Sequence, residues 1–510
     1  MTFVLQTFGG DRLIREPAPR RSTHSRGPVA LLRSAGTALG LGLAVSACSV
    51  IGTSEPPTAA SSVPSSVPRV VGAQTPAQRE HARILASYGG AYQDPALDEL
   101  LAGVAKKLAA QSARPDIGYR VTVLNTPSIN AFALPSGDLY ITRGVVALAN
   151  DTSEVAAVLA HEMAHVAARH AFERADRERQ AQLVSRVVSG VLNDPEASAL
   201  ALAKSKLALA RFSRVQELEA DQLGIRTLAK TGYDPYAAGR FLGSMARAAN
   251  LRARMGANGE TPDFLSTHPS TPERVQLAVQ GARHIAPPNP EARDKDAFLA
   301  AINGIVYGDD PRQGLVRGRR FVHPVLGFTL TAPEGFVLEN TSEALVGVGP
   351  GGYAMRLDAE KVSKLGTPQE ALEKGVVEGT EVSDIEPAQI GGMPAALGVA
   401  RGRDWTFRVA AIQLDDDIYR LVFAARELTP ETDARFREAI QSFRRLTSEE
   451  VISTRPQRLS VITVKPGESI ESIAARMPFS DRAVERLLVL NGMEPGAQLT
   501  AGQKMKTVVE

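Results

Sequence analysis

His161-Glu162-Met163-Ala164-His165 spells H-E-x-x-H inside a stretch with helical patterning. Side chains four apart on a helix differ by about 40° in projection, so both imidazoles face the same side. Two neutral imidazoles suit Zn²⁺. Glu162 stands one step round the helix, beside such an ion but not on it, where its carboxylate can take a proton from a metal-activated water. A catalytic zinc needs a third protein ligand and an open fourth position. The elongated pattern with a third histidine further along is missing, because Ala168 and Ala171 stand where it needs Gly and His. His170 leaves the shared face and is expected at the surface. Downstream, Glu217 and Asp221 are four apart on another helical stretch, while Glu219 points the other way into solvent. Glu217 is therefore the expected third ligand of one Zn²⁺ per chain. Asp221 is expected to accept a ligand histidine's N–H and so fix its ring.

Positioning these groups takes a helix that starts cleanly. Asp151 and Glu154 have the spacing of a capping box at the head of the H-E-x-x-H helix, which is read as running past His170 towards Arg179. An Ala-rich stretch, Glu196 to Arg211, is helical by composition. A further helix covers Val215 to Lys230 and closes at Gly232. Before the motif come an amphipathic helix through Leu97, Leu101, Val104 and Leu108, a strand at Tyr119 to Leu124, and a hairpin. The hairpin pairs Asn130 to Leu134 with Leu139 to Thr142.

With these motifs in place, residues 79–285 resemble the gluzincin zinc metallopeptidase family of BepA, HtpX and the Ste-type CAAX proteases. The likeness rests on His161 to His165, on Phe212-Ser213-Arg214 through Glu217 to Asp221, and on Ser266-Thr267-His268-Pro269. It implies that Asn130-Ala131-Phe132-Ala133 is an edge strand that pairs with an extended substrate. It also implies that His268 lies near the metal, either polarising the scissile carbonyl or occupying the open position in a resting state. Arg274 would help to fix that loop. No apolar stretch after residue 48 is long enough to span a bilayer, so the soluble periplasmic members are the nearer match. The helical repeats that BepA carries are not found here, so its partners do not transfer.

Around this region the chain changes character. At 510 residues it is too long for one core and suggests about three domains. Hydrophobic residues at 44% and charged residues at 22% suit globular protein, and a net charge of +2 argues against nucleic acid as a partner. Arginines precede an apolar run from Ala35 to Ala47 that suits a signal-peptide core. It ends at Cys48, the only cysteine. Cys48 either merely ends a cleavage site or is the lipidated residue of the bacterial lipobox that residues 45–48 resemble. The lipobox reading implies a periplasmic protein, with Ser49 favouring the outer membrane. Residues 49–78 are rich in Ser, Pro, Ala and Thr and read as a disordered tether.

Residues 286–317 read as a connector, 318–447 as an α+β domain of unassigned role, and 448–458 as a linker. The glycine string Gly347 to Gly352 reads as a turn between strands, since Pro350 interrupts it and no helix follows. Asp415-Asp416-Asp417 reads as a solvated turn. Residues 459–510 resemble a LysM module of order β-α-α-β, a family that binds N-acetylglucosamine chains of peptidoglycan. The expected fold is thus multidomain: a mainly α (α+β) zincin-type metalloprotease domain, an α+β domain, and a small LysM-like module. The expected function is zinc-dependent endopeptidase action on unfolded or misassembled envelope proteins. The alternatives are a non-enzymatic chaperone or wall-binding scaffold, and hydrolysis of peptidoglycan cross-links.

Overall fold

Helix breaks and caps fix where the site helices lie. The computed structural model describes residues 75–179, 195–255, 268, 271–288, 294–377 and 380–510, with the backbone alone over 195–212. The expected signal segment, Cys48 and most of the tether lie outside these residues, as do Ser266, Thr267 and Pro269. Among the described residues, no helix is long and apolar enough to cross a membrane.

Helix α1 (Pro76–Ser87) carries a full capping box between Thr75 and Gln78, and α2 (Pro95–Ala109) is capped by Asp94 and buries Leu97, Leu101, Val104 and Leu108. A small mixed sheet follows. Strand β1 (Arg120–Leu124) runs parallel to β3 (Asp138–Thr142), and β2 (Ala131–Ala133) runs antiparallel to β3 at the sheet's edge. Short α3 (Arg143–Leu148) leads to α4 (Thr152–Ala167), which is buried on all sides from Thr152 to Ala164. Such all-round burial is what an Ala- and Val-rich helix in the middle of a domain requires.

Asp151 does cap α4, accepting from the Glu154 N–H. Glu154 does not return the bond to Asp151. It accepts from the Asn150 N–H at 2.9 Å and ion-pairs with Arg240 at 3.3 Å. The helix also fails to run on to Arg179 unbroken. Arg169 takes a left-handed conformation (φ 60°), which reverses the chain before helix resumes over 170–179. The two helices expected between Glu196 and Lys230 are one continuous 36-residue helix, α5 (Pro195–Lys230). Helices α6 (Ala237–Arg254) and α7 (Pro272–Ile285) pack on the same core.

Beyond α8 (Lys295–Ile302) lies a seven-stranded, antiparallel sheet of residues 337–425. One face buries Phe423 against Phe436, and the other buries Val409 and Ala411 against Ala371 and Leu372. The glycine string is indeed a turn between two of its strands, Leu345–Val348 and Ala354–Lys361. The aspartate run sits at a strand junction with Asp415 paired to Arg445 at 2.7 Å and Asp417 to Lys361 at 2.9 Å.

The C-terminal elements follow as a strand (Arg458–Thr463), helices Ile470–Ala474 and Ala483–Leu490, and a strand (Lys504–Val509), the two strands pairing antiparallel. Their apolar residues do not make a separate core. Leu459, Ile473, Leu487 and Val508 belong to the same buried cluster as Leu148, Val155 and Met245. Backbone bonds continue the join: Gly304 N–H donates to Leu459 O at 2.8 Å, and Leu459 N–H to Ile305 O at 2.9 Å. Lys506, fully buried, donates from Nζ to the carbonyls of Ala147, Leu148 and Ala149 at 2.7, 3.2 and 2.6 Å.

Candidate metal centre

Helices α4 and α5 cross at the motif, and Gly224 is what lets them come close. A Cβ at Gly224 would lie 3.3 Å from the backbone N of His161 and 3.4 Å from the carbonyl carbon of Ala160. Glu217 and Asp221 lie on the same helix as Gly224 and reach the histidines of α4. His161, His165, Glu217 and His268 each offer a ligand atom, and these atoms lie within 4.8 Å of one another. His161 Nε2 is 3.0 Å from His165 Nε2, and Glu217 Oε1 and Oε2 are 3.4 Å from the nitrogens of His165 and His161 respectively. His268 Nδ1 is 2.8 Å from Glu217 Oε2 and 3.3 Å from His161 Nε2.

The far side of each ring decides what the near side can do. His161 Nδ1 faces Asp221 Oδ1 at 3.0 Å, so the hydrogen belongs on Nδ1 and the Nε2 lone pair faces the centre. Asp221 is itself held by Arg274, at 2.6 Å to Oδ2 and 2.8 Å to Oδ1. His165 Nδ1 faces His170 Nδ1 at 2.9 Å, and His170 Nε2 faces Glu219 Oε2 at 3.4 Å. Read as a chain, Glu219 accepts from His170 Nε2 and His170 Nδ1 accepts from His165 Nδ1, which again leaves an Nε2 lone pair at the centre. This corrects the expectation for His170: it is 2% exposed and packs behind a candidate ligand. The left-handed turn at Arg169 brings it back, and nothing in residue spacing signals that turn. Glu219 is 55% exposed at its side chain, as its helical position implies.

Two converging lone pairs and a carboxylate call for a cation. A proton answers that call at His161, where burial opposes charge but Asp221 and Glu217 outweigh it and lift the pKa to about 9. Burial works against ionisation of Glu217 too, yet its bonds to His161 and His268 hold it well below the usual carboxylate range. His165, with burial and the neighbouring His161 both against it, is pushed down. The donor set therefore fits a divalent metal of the nitrogen–oxygen type.

Glu162 differs from all of these. It is 3% exposed, its Oε1 has no hydrogen-bond partner among the described residues, and His268 Nε2 is 3.8 Å away. Burial raises its pKa, with His268 and His161 only partly offsetting it. A buried carboxylate oxygen with no partner is costly unless a ligand or water meets it in use.

The edge strand lies against α4. Ala131 is 1% exposed, and Phe132 stacks on Tyr140 with centroids 5.0 Å apart. Asn130 is drawn inward: its N–H donates to Thr142 Oγ1 at 3.0 Å and its carbonyl accepts from the Thr142 N–H at 3.0 Å. Arg274, expected to help fix the loop of His268, sits among Asp221, Glu217 and His161.

A buried pair of helical histidines, a glutamate from a crossing helix and a buried carboxylate beside them make up the donor set of a candidate gluzincin-type metal centre. Residues 95–281 match peptidase family M48 and residues 462–507 match the LysM domain, so the chain carries an M48 gluzincin region and a C-terminal LysM region. The beta-barrel assembly-enhancing protease of Yersinia pestis is 29% identical over 229 residues, covering 42% of this chain and 45% of that protein. The mitochondrial metalloendopeptidase OMA1 of Arabidopsis thaliana is 34% identical over 182 residues, 34% of each chain. The OMA1 of Schizosaccharomyces pombe is 32% identical over 173 residues, 34% of this chain and 49% of that one. The chain thus spans less than half the length of these relatives. Among solved structures, a cyanobacterial PsbP of Synechocystis aligns with 25% of this chain and 91% of its own at 11% identity and a TM-score of 0.21, too slight a likeness to carry an argument.

Proposed function

We propose that this protein is a zinc-dependent endopeptidase of the bacterial envelope, held by lipid at Cys48 to the periplasmic side of the outer membrane. Its substrates are unfolded or misassembled envelope proteins. The observation that carries the reading is the convergence of His161, His165 and Glu217 with Glu162 beside them, its Oε1 without a hydrogen bond among the described residues. His161, His165 and Glu217 are the residues that would hold zinc. When bound, zinc supplies a Lewis acid that acidifies a water and stabilises negative charge on the scissile carbonyl oxygen. Glu162 accepts the proton of the attacking water at its carboxylate and returns it to the leaving amine. Asp221 and His170 keep the two imidazoles in the tautomer that presents Nε2. An extended substrate adds a strand beside Ala131-Phe132-Ala133, with Asn130 anchoring the start of that strand. The envelope setting draws support from the LysM region and from relatives named for β-barrel assembly. Peptidoglycan binding through residues 459–510 is part of the same reading.

The test uses the purified chain with casein and an unfolded outer-membrane barrel. Cleavage should vanish with a chelator and return with zinc. Glu162→Gln should retain about one zinc per chain and lose at least about a hundredfold in rate. His161→Ala should lose the metal itself. Normal turnover by metal-loaded Glu162→Gln would overturn the assignment of the base.

His268 favours a second reading. Its Nδ1 lies within the same ligand group, 2.8 Å from Glu217, and could fill the fourth position in a closed, non-enzymatic scaffold. If His268→Ala gained cleavage from an inactive parent, the closed state would be regulatory. If parent and variant both bound unfolded protein without cutting it, the scaffold reading would stand.

A further inference from the structure

The open edge of the small sheet has two unlike faces. Strand β2 pairs with β3 on one side, and no described strand pairs with the other. The Asn130 carbonyl accepts from the Thr142 N–H at 3.0 Å, and the Leu134 N–H donates to the Asp138 carbonyl at 2.9 Å. An antiparallel ladder alternates, so the N–H and C=O of Phe132 also turn to β3. Those of Ala131 and Ala133 are left pointing out of the sheet's edge. Side chains alternate as well. Ala131 joins the core that includes α4, whereas Phe132 and Leu134 lie on the opposite face against α1.

That opposite face is a shelf. Phe132, Leu134, Leu85 and Tyr88 are half-buried there, over a floor of Ile84 and Tyr140. Its rings are fixed before anything binds, which lowers the cost of ordering them. The Tyr88 and Phe132 centroids are 5.6 Å apart, and Tyr88 Oη accepts from Asn130 Nδ2 at 3.1 Å. Beneath them Tyr140 Oη meets His81 Nδ1 at 2.7 Å. Residues opposite one another across an antiparallel pair share a face, and they stand closest in the pairs that exchange no backbone bonds. A strand bonded antiparallel to Ala131 and Ala133 therefore sets one side chain directly against Phe132. The side chain two residues before it falls beside Leu134.

We propose that Phe132, Leu134 and Tyr88 determine substrate specificity: the preferred segment is extended and carries a large apolar residue at every second position. The proposal rests on the strand-addition part of the reading above, not on the metal. Ala131 and Ala133 supply backbone bonds that any sequence can use, so they give affinity without selection. Selection comes from the shelf, because a leucine-sized side chain laid on it leaves water and a small polar one gains nothing there. Strand-forming segments of unfolded proteins have this period of two, and helix-forming segments, with apolar residues three or four apart, do not.

The test is fluorescence-anisotropy titration of the full chain, treated with chelator so that nothing is cut. One probe, fluorescein-Lys-Thr-Leu-Thr-Leu-Thr-Lys-amide, alternates its leucines. The other, fluorescein-Lys-Thr-Leu-Leu-Thr-Thr-Lys-amide, has the same composition with the leucines adjacent, so one of them must face away from the shelf. The alternating peptide should bind about tenfold tighter. Phe132→Thr keeps a strand-forming residue and should bring the two peptides to within about twofold of each other. If thermal melts show that Phe132→Thr does not fold, Leu134→Thr makes the same test. Equal binding of the two peptides by the parent, a tenfold preference that persists in the folded variant, or no binding of either at millimolar concentration would each overturn the proposal. The metal-loaded parent separates this outcome from the peptidase reading. Casein left uncut by a chain that prefers the alternating peptide would sink the peptidase reading alone, and casein cut by a chain without that preference would sink the shelf alone.

Discussion

His165 holds its orientation through a residue that never reaches the centre. His170 accepts its Nδ1 hydrogen at 2.9 Å and hands the polarity on to Glu219 at 3.4 Å. His170→Ala should therefore weaken zinc affinity by about 10–100-fold while leaving the ligands in place, as measured by chelator competition. Unchanged affinity would mean that the ring of His165 is held by packing alone. Asp309 offers a pH test away from the centre. Burial pushes its carboxyl up to about 6, offset in part by the Val316 N–H and Arg317. A raised carboxyl stabilises the fold fully below its unfolded pKa of about 4, and that contribution is lost as pH rises through about 6. Asp309→Asn should thus flatten the fall in Tm between those pH values and add roughly 1–2 kcal/mol at neutral pH, read by thermal melts across pH. At this scale the sequence was legible where spacing within one helix decides, as for His161, Glu162 and His165. It was illegible where a backbone reversal decides, as for His170, or where a cation's partner is a carbonyl from a distant segment, as for Arg143 and Val306.

At the scale of elements, the centre depends on the distance between α4 and α5. Gly224 supplies that closeness, since a Cβ there meets the backbone of His161 at 3.3 Å. Gly224→Ala gains helix propensity of roughly 1 kcal/mol but must push the helices apart by a few tenths of an ångström. Gly224→Val has no such latitude and should cost about 1–3 kcal/mol with a larger loss of zinc affinity. Denaturant melts and zinc titration together would check this, and a variant with wild-type affinity would show that Glu217 does not need the tight crossing. Periodicity identified the helix through Leu97 to Leu108 and the strands around Ala131 and Leu139, because each buries one face of regular spacing. It split α5 in two, because an Ala-rich stretch and a charged one look like separate helices when read locally. It ran α4 too far, because the left-handed Arg169 is not a glycine and carries no composition signal.

At the scale of the whole molecule, the C-terminal module shares its interior with the peptidase region. Lys506 sits at the seam with all three ammonium hydrogens spent on Ala147, Leu148 and Ala149, the carbonyls that close α3 just before the cap of α4. Burial pulls its pKa down to about 7, with Glu154 pulling the other way. Lys506→Met takes the ammonium donor from three carbonyls, of which Leu148 O keeps Asn150 Nδ2 at 3.2 Å, and should destabilise the chain by about 2–4 kcal/mol, seen as a lower Tm with peptidase and module still melting together. Two well-separated transitions in the parent would contradict the shared interior. The order of the last four elements could be read from the chain, but not the surface they rest on, because composition says nothing of which faces meet.

That seam has a practical meaning for anyone dissecting the protein. A fragment beginning near residue 459 would carry Leu459, Leu487 and Val508 as raw oily patches, and the truncated remainder would carry their mirror image. Sugar-capture experiments on the excised piece would then report stickiness, not recognition. Trials of wall affinity belong to the uncut polypeptide, in which the blade and the grip share one grain.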